Sequence, residues 1–234
     1  MSVALITGGS AGLGSALAHA LADDGWRVVV DGRDADRLAA AADVPGIVAV
    51  PGDVANEWHR GALEAAVERE GRLDLLVHNA STLGPTPMPR LEAAGLDDML
   101  DVWRTNVGAP LALTADLLPL LLASDGTLLS VTSDAGAEHY EGWGLYGASK
   151  AALEHVTLTF GAEHPTLRAY AVDPGDMRTQ MHQDAFPGED ISDRPLPESV
   201  VPHILALLEA GPPSGRYRAA DFPIARSAAQ RVGA

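Results

Sequence analysis

The sequence predicts a doubly wound α/β fold, with a parallel sheet of about seven strands and helices on both faces. Short apolar runs alternate along the chain with Ala- and Leu-rich segments of helical spacing. Most runs are apolar almost throughout, which is typical of strands buried on both faces. Such alternation implies right-handed crossovers and therefore a parallel sheet. We find neither an internal repeat nor a linker, so residues 1–234 are predicted to form a single domain.

Each element follows from its own stretch of sequence. The predicted strands are the apolar runs 3–7, 27–31, 46–50, 73–78, 127–132, 167–172 and, shorter, 216–220. The predicted helices are the segments with helical spacing, 12–23, 34–42, 56–70, 97–122 and 146–162. A polar stretch rich in Gly and Pro at 186–198 interrupts the alternation. It is either part of a lid over a site or a solvated excursion.

Composition narrows the class of protein. Hydrophobic residues make up 47% of the chain and charged residues 21%, which favours a packed core over disorder. The net charge of −16 argues against nucleic acid and against an anionic membrane surface as partners. The absence of cysteine excludes disulfides, thiolate metal sites and a Cys nucleophile. Without a signal peptide or an apolar stretch of about 20 residues, we expect a cytoplasmic enzyme or binding protein.

A glycine-rich loop joins the first predicted strand to the first predicted helix. Gly8, Gly12 and Gly14 allow a tight turn and a close approach to a pyrophosphate, which the helix N-terminus favours electrostatically. The spacing Thr-Gly-x-x-x-Gly-x-Gly resembles the short-chain dehydrogenase/reductase family. This resemblance implies a Rossmann-type domain that binds a nicotinamide dinucleotide, with Ser10 and Leu13 also at the cofactor.

The end of the second predicted strand bears on the choice of dinucleotide. An acidic residue there accepts a hydrogen bond from the ribose 2′-hydroxyl of NAD, whereas an Arg accommodates the 2′-phosphate of NADP. Aligned on the strand, the acid of NAD-selecting members falls at Gly32, and Arg33 follows, as in members that prefer NADP. We therefore predict NADP(H), with NAD possible. A slip of one residue would place Asp31 at the selecting position, and Arg33 could instead be a solvated residue.

Two further segments resemble the cofactor-binding motifs of the family. Asp53 and Val54 follow the third predicted strand, and the resemblance implies contacts with the adenine amine and ring. Asn79 and Ala80 match part of the usual Asn-Asn-Ala-Gly motif after the fourth strand, whereas His78 and Ser81 depart from it. We interpret His78 as a structural histidine rather than a catalytic base.

The candidate catalytic residues lie in the second half of the chain. Tyr146 and Lys150 are four apart on a predicted helix and so share a face. A nearby ammonium favours a phenolate, so Lys150 is expected to lower the pKa of Tyr146 and to make it a usable acid and base. Ser133, thirteen residues before Tyr146, matches the family's spacing. Asn106 lies within a predicted helix, which in the family it distorts while holding a water.

The segment after the sixth predicted strand resembles the one that covers the nicotinamide in the family. Pro174, Gly175 and Thr179 carry that resemblance, and a substrate loop is predicted near 176–198. The family resemblance implies an NAD(P)(H)-dependent oxidoreductase that interconverts a carbonyl and an alcohol. The alternative is a non-catalytic sensor or scaffold that binds NADP. We expect a small-molecule substrate, a homodimer or homotetramer, and no metal.

Overall fold

The computed structural model describes residues 1–223. Their strands form one parallel sheet in the order β3-β2-β1-β4-β5-β6-β7. This arrangement confirms the predicted fold class. The strands are β1 Val3–Ile6, β2 Arg27–Gly32, β3 Ile47–Pro51, β4 Leu75–His78, β5 Thr127–Val131, β6 Arg168–Asp173 and β7 Gly215–Arg218.

Helices cover both faces of this sheet. They are α1 Gly12–Asp23, α2 Ala35–Ala41, α3 Glu57–Glu70, α4 Leu96–Trp103, α5 Ala109–Ala123, α6 Gly144–Glu163, α7 Gln180–Ala185 and α8 Pro197–Ala210. Successive side chains of β1 point to opposite faces, as a strand requires. Ala4 and Ile6 join the core beneath α1 and α8, while Val3 and Leu5 join the core beneath α3 and α5.

The predicted helix 97–122 is interrupted in the structure. A π-helical turn, Arg104–Gly108, separates α4 from α5 and contains Asn106. The distortion expected at this position is thereby confirmed. Helix α8 was not predicted, because the Gly- and Pro-rich stretch 186–198 before it made the segment look like a loop. Its start at Pro197 and its end before Gly211, which has φ +55°, follow the usual preferences for Pro and Gly at helix ends.

The stretch Leu96–Ala123 is long and apolar enough to cross a membrane by length and composition alone. In the structure its α5 part packs on the sheet, and Leu113, Leu117 and Leu121 are completely buried in the core. We interpret it as a core helix.

His78 ends β4 and is structural, as predicted. Its ring is buried, and Nε2 lies 2.7 Å from Thr114 Oγ1. Burial lowers the pKa of His78 from 6.5 to about 3. Between these values the unfolded chain binds a proton that the folded protein does not, so stability falls as the pH drops below 6.5.

His78 is therefore expected to weaken the protein in acid. From pH 6.5 to 4.5 the free energy of unfolding should fall by about 1.4 kcal/mol per pH unit on account of this residue. Urea unfolding of the wild type and His78→Gln at both pH values measures the effect, and the variant should lose less stability. His155→Gln, at an exposed position, is the control and should behave like the wild type. Equal acid losses in the wild type and His78→Gln would contradict the assignment.

Candidate active site

A cavity of about 330 Å³ runs along the carboxyl ends of the strands. Ligands of parallel sheets bind at this edge. Fifteen of the predicted site residues line the cavity: Gly8, Ser10, Gly12, Leu13, Arg33, Asp53, Val54, Asn79, Ala80, Ser133, Tyr146, Lys150, Pro174, Gly175 and Thr179. The two other predicted residues, Gly14 and Asn106, do not line it.

The glycine loop packs too closely to admit side chains. Gly8 and Gly12 have positive φ angles of 71° and 57°, which disfavour other residues. A Cβ atom on Gly14 would lie 2.4 Å from the carbonyl oxygen of Gly8. Ala11 caps α1 without a side-chain hydrogen bond, so no side chain satisfies the first backbone N–H groups of this helix. A helix start of this kind suits a bound anion such as a pyrophosphate.

Asn79 and Thr7 fasten the glycine loop to the end of β4. The amide of Asn79 donates to the carbonyl oxygens of Thr7 and Gly8, at 2.9 and 3.0 Å. The hydroxyl of Thr7 accepts from the backbone N–H groups of Asn79 and Ala80, both at 3.1 Å. Asn79 thus holds the loop as well as lining the cavity. Thr179 reaches the same loop from the other side, 3.5 Å from a Cβ placed on Gly12.

Asp31 is committed to internal contacts at the end of β2. It is 1% exposed, and its carboxylate accepts from the backbone N–H of Gly8 at 2.6 Å. Its second oxygen lies 3.1 Å from Nε2 of His59, which is also buried. Arg33, by contrast, is exposed at the rim of the cavity. These contacts favour the alignment in which Gly32 takes the selecting position and Arg33 follows it.

Ser133, Tyr146 and Lys150 meet at the middle of the cavity. Ser133 lies just beyond β5, and Tyr146 and Lys150 lie one turn apart on α6. Both α6 side chains are almost fully buried, and Nζ of Lys150 lies 5.5 Å from the centroid of the Tyr146 ring. Nζ also donates to the carbonyl oxygen of Val131 at 2.8 Å. Lys150 is the only lysine in the whole sequence, which otherwise uses arginine for its cations.

The prediction that the pKa of Tyr146 is lowered is wrong for the protein without cofactor. Burial raises the pKa of the phenol, and the nearby Asp134 and Asp173 add to the rise, although hydrogen bonds with Ser133 and Ser81 lower it. Burial also lowers the pKa of Lys150 from 10.5 to about 7. At neutral pH Lys150 is therefore only partly charged. The sequence shows the pair but not how deeply the helix buries it.

Asn106 is completely buried in the π turn, and its side chain makes four hydrogen bonds. The carbonyl Oδ1 accepts from the backbone N–H of Thr82 at 2.9 Å and from the hydroxyl of Ser81 at 3.2 Å. The amide Nδ2 donates to the carbonyl oxygen of Thr82 and to Ser149 Oγ, both at 2.9 Å. Asn106 thus joins the loop after β4 to α6, at the turn that carries Tyr146.

The end of the cavity beyond Tyr146 is largely apolar. Trp143 lies edge-on to Tyr146, with ring centroids 5.8 Å apart, and Leu83 and Met181 complete this part of the wall. His139 and Tyr140, shortly before Trp143 in the chain, do not line the cavity, and the Tyr140 hydroxyl donates to Asp134 at 2.9 Å.

The sequence model of the short chain dehydrogenase family matches residues 2–190. This chain belongs to the short-chain dehydrogenase family. The oxidoreductase YciK of Escherichia coli (strain K12) is 33% identical over 219 residues, which cover 88% of this chain and 85% of that protein.

Solved structures of this family resemble the chain along most of its length. A short chain dehydrogenase from Pseudomonas syringae is 36% identical with a TM-score of 0.85, covering 93% of this chain and 94% of that one. A short chain dehydrogenase of Escherichia coli CFT073, complexed with NADPH, is 30% identical with a TM-score of 0.86, covering 93% and 96%.

As a short-chain dehydrogenase, the protein is an oxidoreductase that uses a nicotinamide cofactor and interconverts a carbonyl and an alcohol. A sensor or scaffold without turnover is disfavoured, because the predicted Ser, Tyr and Lys all line the cavity. Within residues 1–223, no group of three His, Asp or Glu side chains is placed to hold a metal ion.

The sequence did not show the part that three further residues play in this site. Thr82 lines the cavity and binds Asn106, Ser81 lines the cavity and donates to Asn106, and Asp31 holds the glycine loop. The departure of Ser81 from the family's usual Gly was the signal that could have identified it. Asp31 and His59 are 28 positions apart in the sequence, so no local sequence pattern predicts their contact.

Proposed function

We propose that this short-chain dehydrogenase is an NADP(H)-dependent reductase and dehydrogenase in which Tyr146 transfers the proton. The observation that carries this proposal is the meeting of the Tyr146 phenol, Ser133 and Lys150 in one cavity at the carboxyl edge of the sheet. When bound, the nicotinamide cofactor supplies or accepts the hydride. The chain's own residues then have to hold the substrate oxygen and exchange one proton with it.

The roles of the side chains follow from their chemistry. Tyr146, held neutral by burial, donates its proton to a carbonyl oxygen and recovers it from an alcohol. The Ser133 hydroxyl positions the same oxygen, for which it must leave its present partner, the Asp134 carboxylate at 3.1 Å. When it is protonated, Lys150 places a positive charge near the phenol and stabilises the phenolate that remains. Asn106 fixes the loop and the helix that carry these groups.

The glycine loop and the uncapped start of α1 fit the pyrophosphate of the cofactor. Asp53 and Val54 would hold the adenine, while Pro174, Gly175 and Thr179 lie where the nicotinamide end would be covered. Lys150 would also hold the hydroxyls of the nicotinamide ribose. Arg33 supports NADP(H) over NAD(H), because it is free to reach a 2′-phosphate while Asp31 is occupied internally.

Removing Arg33 is expected to affect the two dinucleotides differently. Arg33→Ala should weaken NADPH binding by about 10-fold to 100-fold, since it removes a charged hydrogen bond to the 2′-phosphate, and should leave NADH binding almost unchanged. Fluorescence titration of both cofactors measures the dissociation constants. Arg37→Ala, on the exposed side of α2, is the matched control. Tighter binding of NADH than NADPH by the wild type would contradict the proposed preference.

The apolar end of the cavity supports a small substrate whose carbonyl lies beside an apolar group. The same site could serve the reduction of an imine or an enone. A panel of ketones, aldehydes, imines and enones, followed at the nicotinamide absorbance with NADPH, tests the proposed function. Reduction of a carbonyl substrate is the expected result, and absence of turnover across the whole panel would contradict it.

We also propose a cytoplasmic homodimer or homotetramer. Apolar side chains remain exposed along α4 and α5, among them Leu96, Trp103 and Leu111, which are 69%, 38% and 46% exposed. A second copy of the chain would cover such a face. Analytical ultracentrifugation measures the oligomeric state directly.

A further inference from the structure

Arg216, on the last strand β7, contacts groups on three other elements of the fold. Its Nε donates to the Glu154 carboxylate of α6 at 3.0 Å. Its Nη2 donates to the backbone carbonyl of Ser133, just beyond β5, at 3.4 Å. The same Nη2 lies 3.6 Å from the Asp173 carboxylate at the end of β6. One guanidinium thus connects α6, the segment after β5 and the end of β6.

Asp173 depends on this guanidinium for its counter-charge. Its side chain is only 7% exposed and lines the cavity. Oδ1 accepts from the backbone N–H of Gly175 at 3.0 Å and so fixes the Pro174-Gly175 turn, while Oδ2 faces Arg216. Arg216 is the only cationic side chain of residues 1–223 within ion-pair distance of Asp173. Because a buried carboxylate without a partner is costly, Arg216 allows Asp173 to remain charged beside the turn.

Glu154 holds Arg216 from the side of α6. It lies one turn after Lys150, and the side chains of Glu154 and Arg216 are 24% and 28% exposed. Their ion pair is therefore partly shielded from water. The donors of a guanidinium form a rigid planar fork, so a carboxylate at Nε leaves the Nη atoms free to bind other acceptors. This geometry lets Arg216 bind Glu154, Asp173 and Ser133 together.

The three connected segments are those that carry the reacting groups. Helix α6 carries Tyr146 and Lys150, and the segment after β5 carries Ser133. The turn after β6 lies where the nicotinamide end of the cofactor would be covered. Arg216 is 62 positions from Glu154 and 83 from Ser133 in the sequence. Its contacts therefore bring together parts of the site that no local structure joins.

We propose that Arg216 is a positioning residue, which holds Ser133 and the Pro174-Gly175 turn in place against α6 by binding the Ser133 carbonyl and neutralising Asp173. The inference rests on the proposed roles of Ser133 and of this turn. Arg216 does not line the cavity, so it acts through the groups that it binds. Such support matters for the rate, because a displacement of about 1 Å at a reacting group can cost about 10²-fold.

Arg216→Met removes the guanidinium and keeps much of its volume. It is expected to lower kcat by about 10-fold to 100-fold on a substrate from the panel, while KM and the dissociation constant of NADPH change by less than about three-fold. Arg27→Met is the matched control, because Arg27 forms an ion pair of similar exposure with Glu70. Arg27 begins β2, at the edge of the sheet opposite the cavity, so this variant should keep the wild-type kcat.

Arg216→Lys keeps a positive charge but loses the planar fork. A single ammonium cannot reach all three acceptors, so kcat should fall by about 3-fold to 10-fold, less than in Arg216→Met. This variant replaces Arg216→Met if the latter does not fold. A wild-type kcat in whichever of the two variants is used would overturn the inference.

Asp173→Asn should suppress the effect of Arg216→Met. In the single variant the Asp173 carboxylate is left buried without its cation, whereas in the double variant an uncharged amide remains, whose oxygen can still accept from Gly175. Relative to Asp173→Asn alone, the double variant should therefore lose less than about 5-fold in kcat. A loss as large as in the wild-type background would contradict an action through Asp173.

Hydrogen exchange measures the positioning without turnover. In Arg216→Met without cofactor, the backbone N–H groups of 133–137 and 173–176 should exchange about 10-fold faster than in the wild type. The N–H of Gly136 donates to the Ser133 carbonyl at 3.1 Å, and that of Gly175 donates to Asp173, so both report on groups that Arg216 binds. Arg27→Met should leave both segments unchanged.

The two kinds of measurement separate the inference from the proposed function. Unchanged exchange in both segments of Arg216→Met would overturn the inference, even if kcat fell. A loss of NADPH affinity as large as the loss of kcat would assign Arg216 to cofactor binding and would also overturn it. Absence of turnover in the wild type would contradict the proposed function, and hydrogen exchange would still decide whether Arg216 holds the two segments.

Discussion

Replacing Tyr146 with Phe is expected to lower kcat by about 10²-fold to 10⁴-fold, the usual contribution of a positioned acid or base. The phenol is the buried group at the centre of the cavity that can deliver a proton, and Phe keeps the ring that packs against Trp143. The dissociation constant of NADPH should change little. Steady-state kinetics on a substrate from the panel, with fluorescence titration of the cofactor, measures both quantities.

Tyr217→Phe is the matched control for this change. Its hydroxyl donates to the Pro213 carbonyl at the exposed edge of β7, away from the cavity, so its activity should equal that of the wild type. Unchanged turnover in Tyr146→Phe would exclude the phenol as the proton donor. A large loss of NADPH affinity would instead assign Tyr146 to cofactor binding.

Replacing Lys150 with Met is expected to lower kcat by at least about 10²-fold, because the phenolate loses the positive charge beside it. Met fills a similar volume and preserves the packing of α6. The variant should at the same time be at least as stable as the wild type at pH 7, since a buried, partly charged amine costs free energy that Met does not. Loss of activity together with retained stability is the mark of a functional residue.

The difference in stability between the wild type and Lys150→Met should depend on pH. In the folded protein the pKa of Lys150 is about 7, against an ordinary 10.5, so between these values unfolding takes up a proton. The wild type should therefore gain stability relative to Lys150→Met as the pH rises from 7 to 10.5, by up to about 1.4 kcal/mol per pH unit. Urea unfolding at three pH values measures the difference.

Arg218→Met, at an exposed position on β7, is the control for the loss of a cation. It should leave both kcat and the pH dependence of unfolding as in the wild type. A difference in stability between Lys150→Met and the wild type that stays constant from pH 7 to 10.5 would contradict the lowered pKa of Lys150.

The sequence was sufficient to predict the sheet and most of the site. Strands buried on both faces are nearly continuous apolar runs, so β1, β2, β4, β5 and β6 were visible as such. The spacing of the glycines, Ser133, Tyr146 and Lys150 then placed these residues at one edge of the sheet, where the structure gathers them around the cavity. Local patterns of period and spacing carry this information directly.

What the sequence could not provide depends on contacts between distant segments. Asn106 hydrogen-bonds with Thr82 and with Ser149, from which it is separated by 24 and 43 positions in the sequence. No local sequence pattern links residues so far apart. The prediction that Lys150 lowers the pKa of Tyr146 was wrong for a related reason. The spacing of the two residues was correct, but the depth of burial, which dominates the pKa shifts of both, is set by how α6 packs on the sheet.

The single lysine allows the catalytic cavity to be labelled selectively. Because Lys150 is the only lysine of the chain, growth with ζ-¹⁵N-lysine would mark a single side-chain nitrogen, and that nitrogen lies in the cavity. Its resonance needs no assignment by mutation, and its shift follows the charge on the amine. The protonation state of the reacting centre can thus be recorded in the unaltered enzyme, as a dinucleotide or a substrate is added.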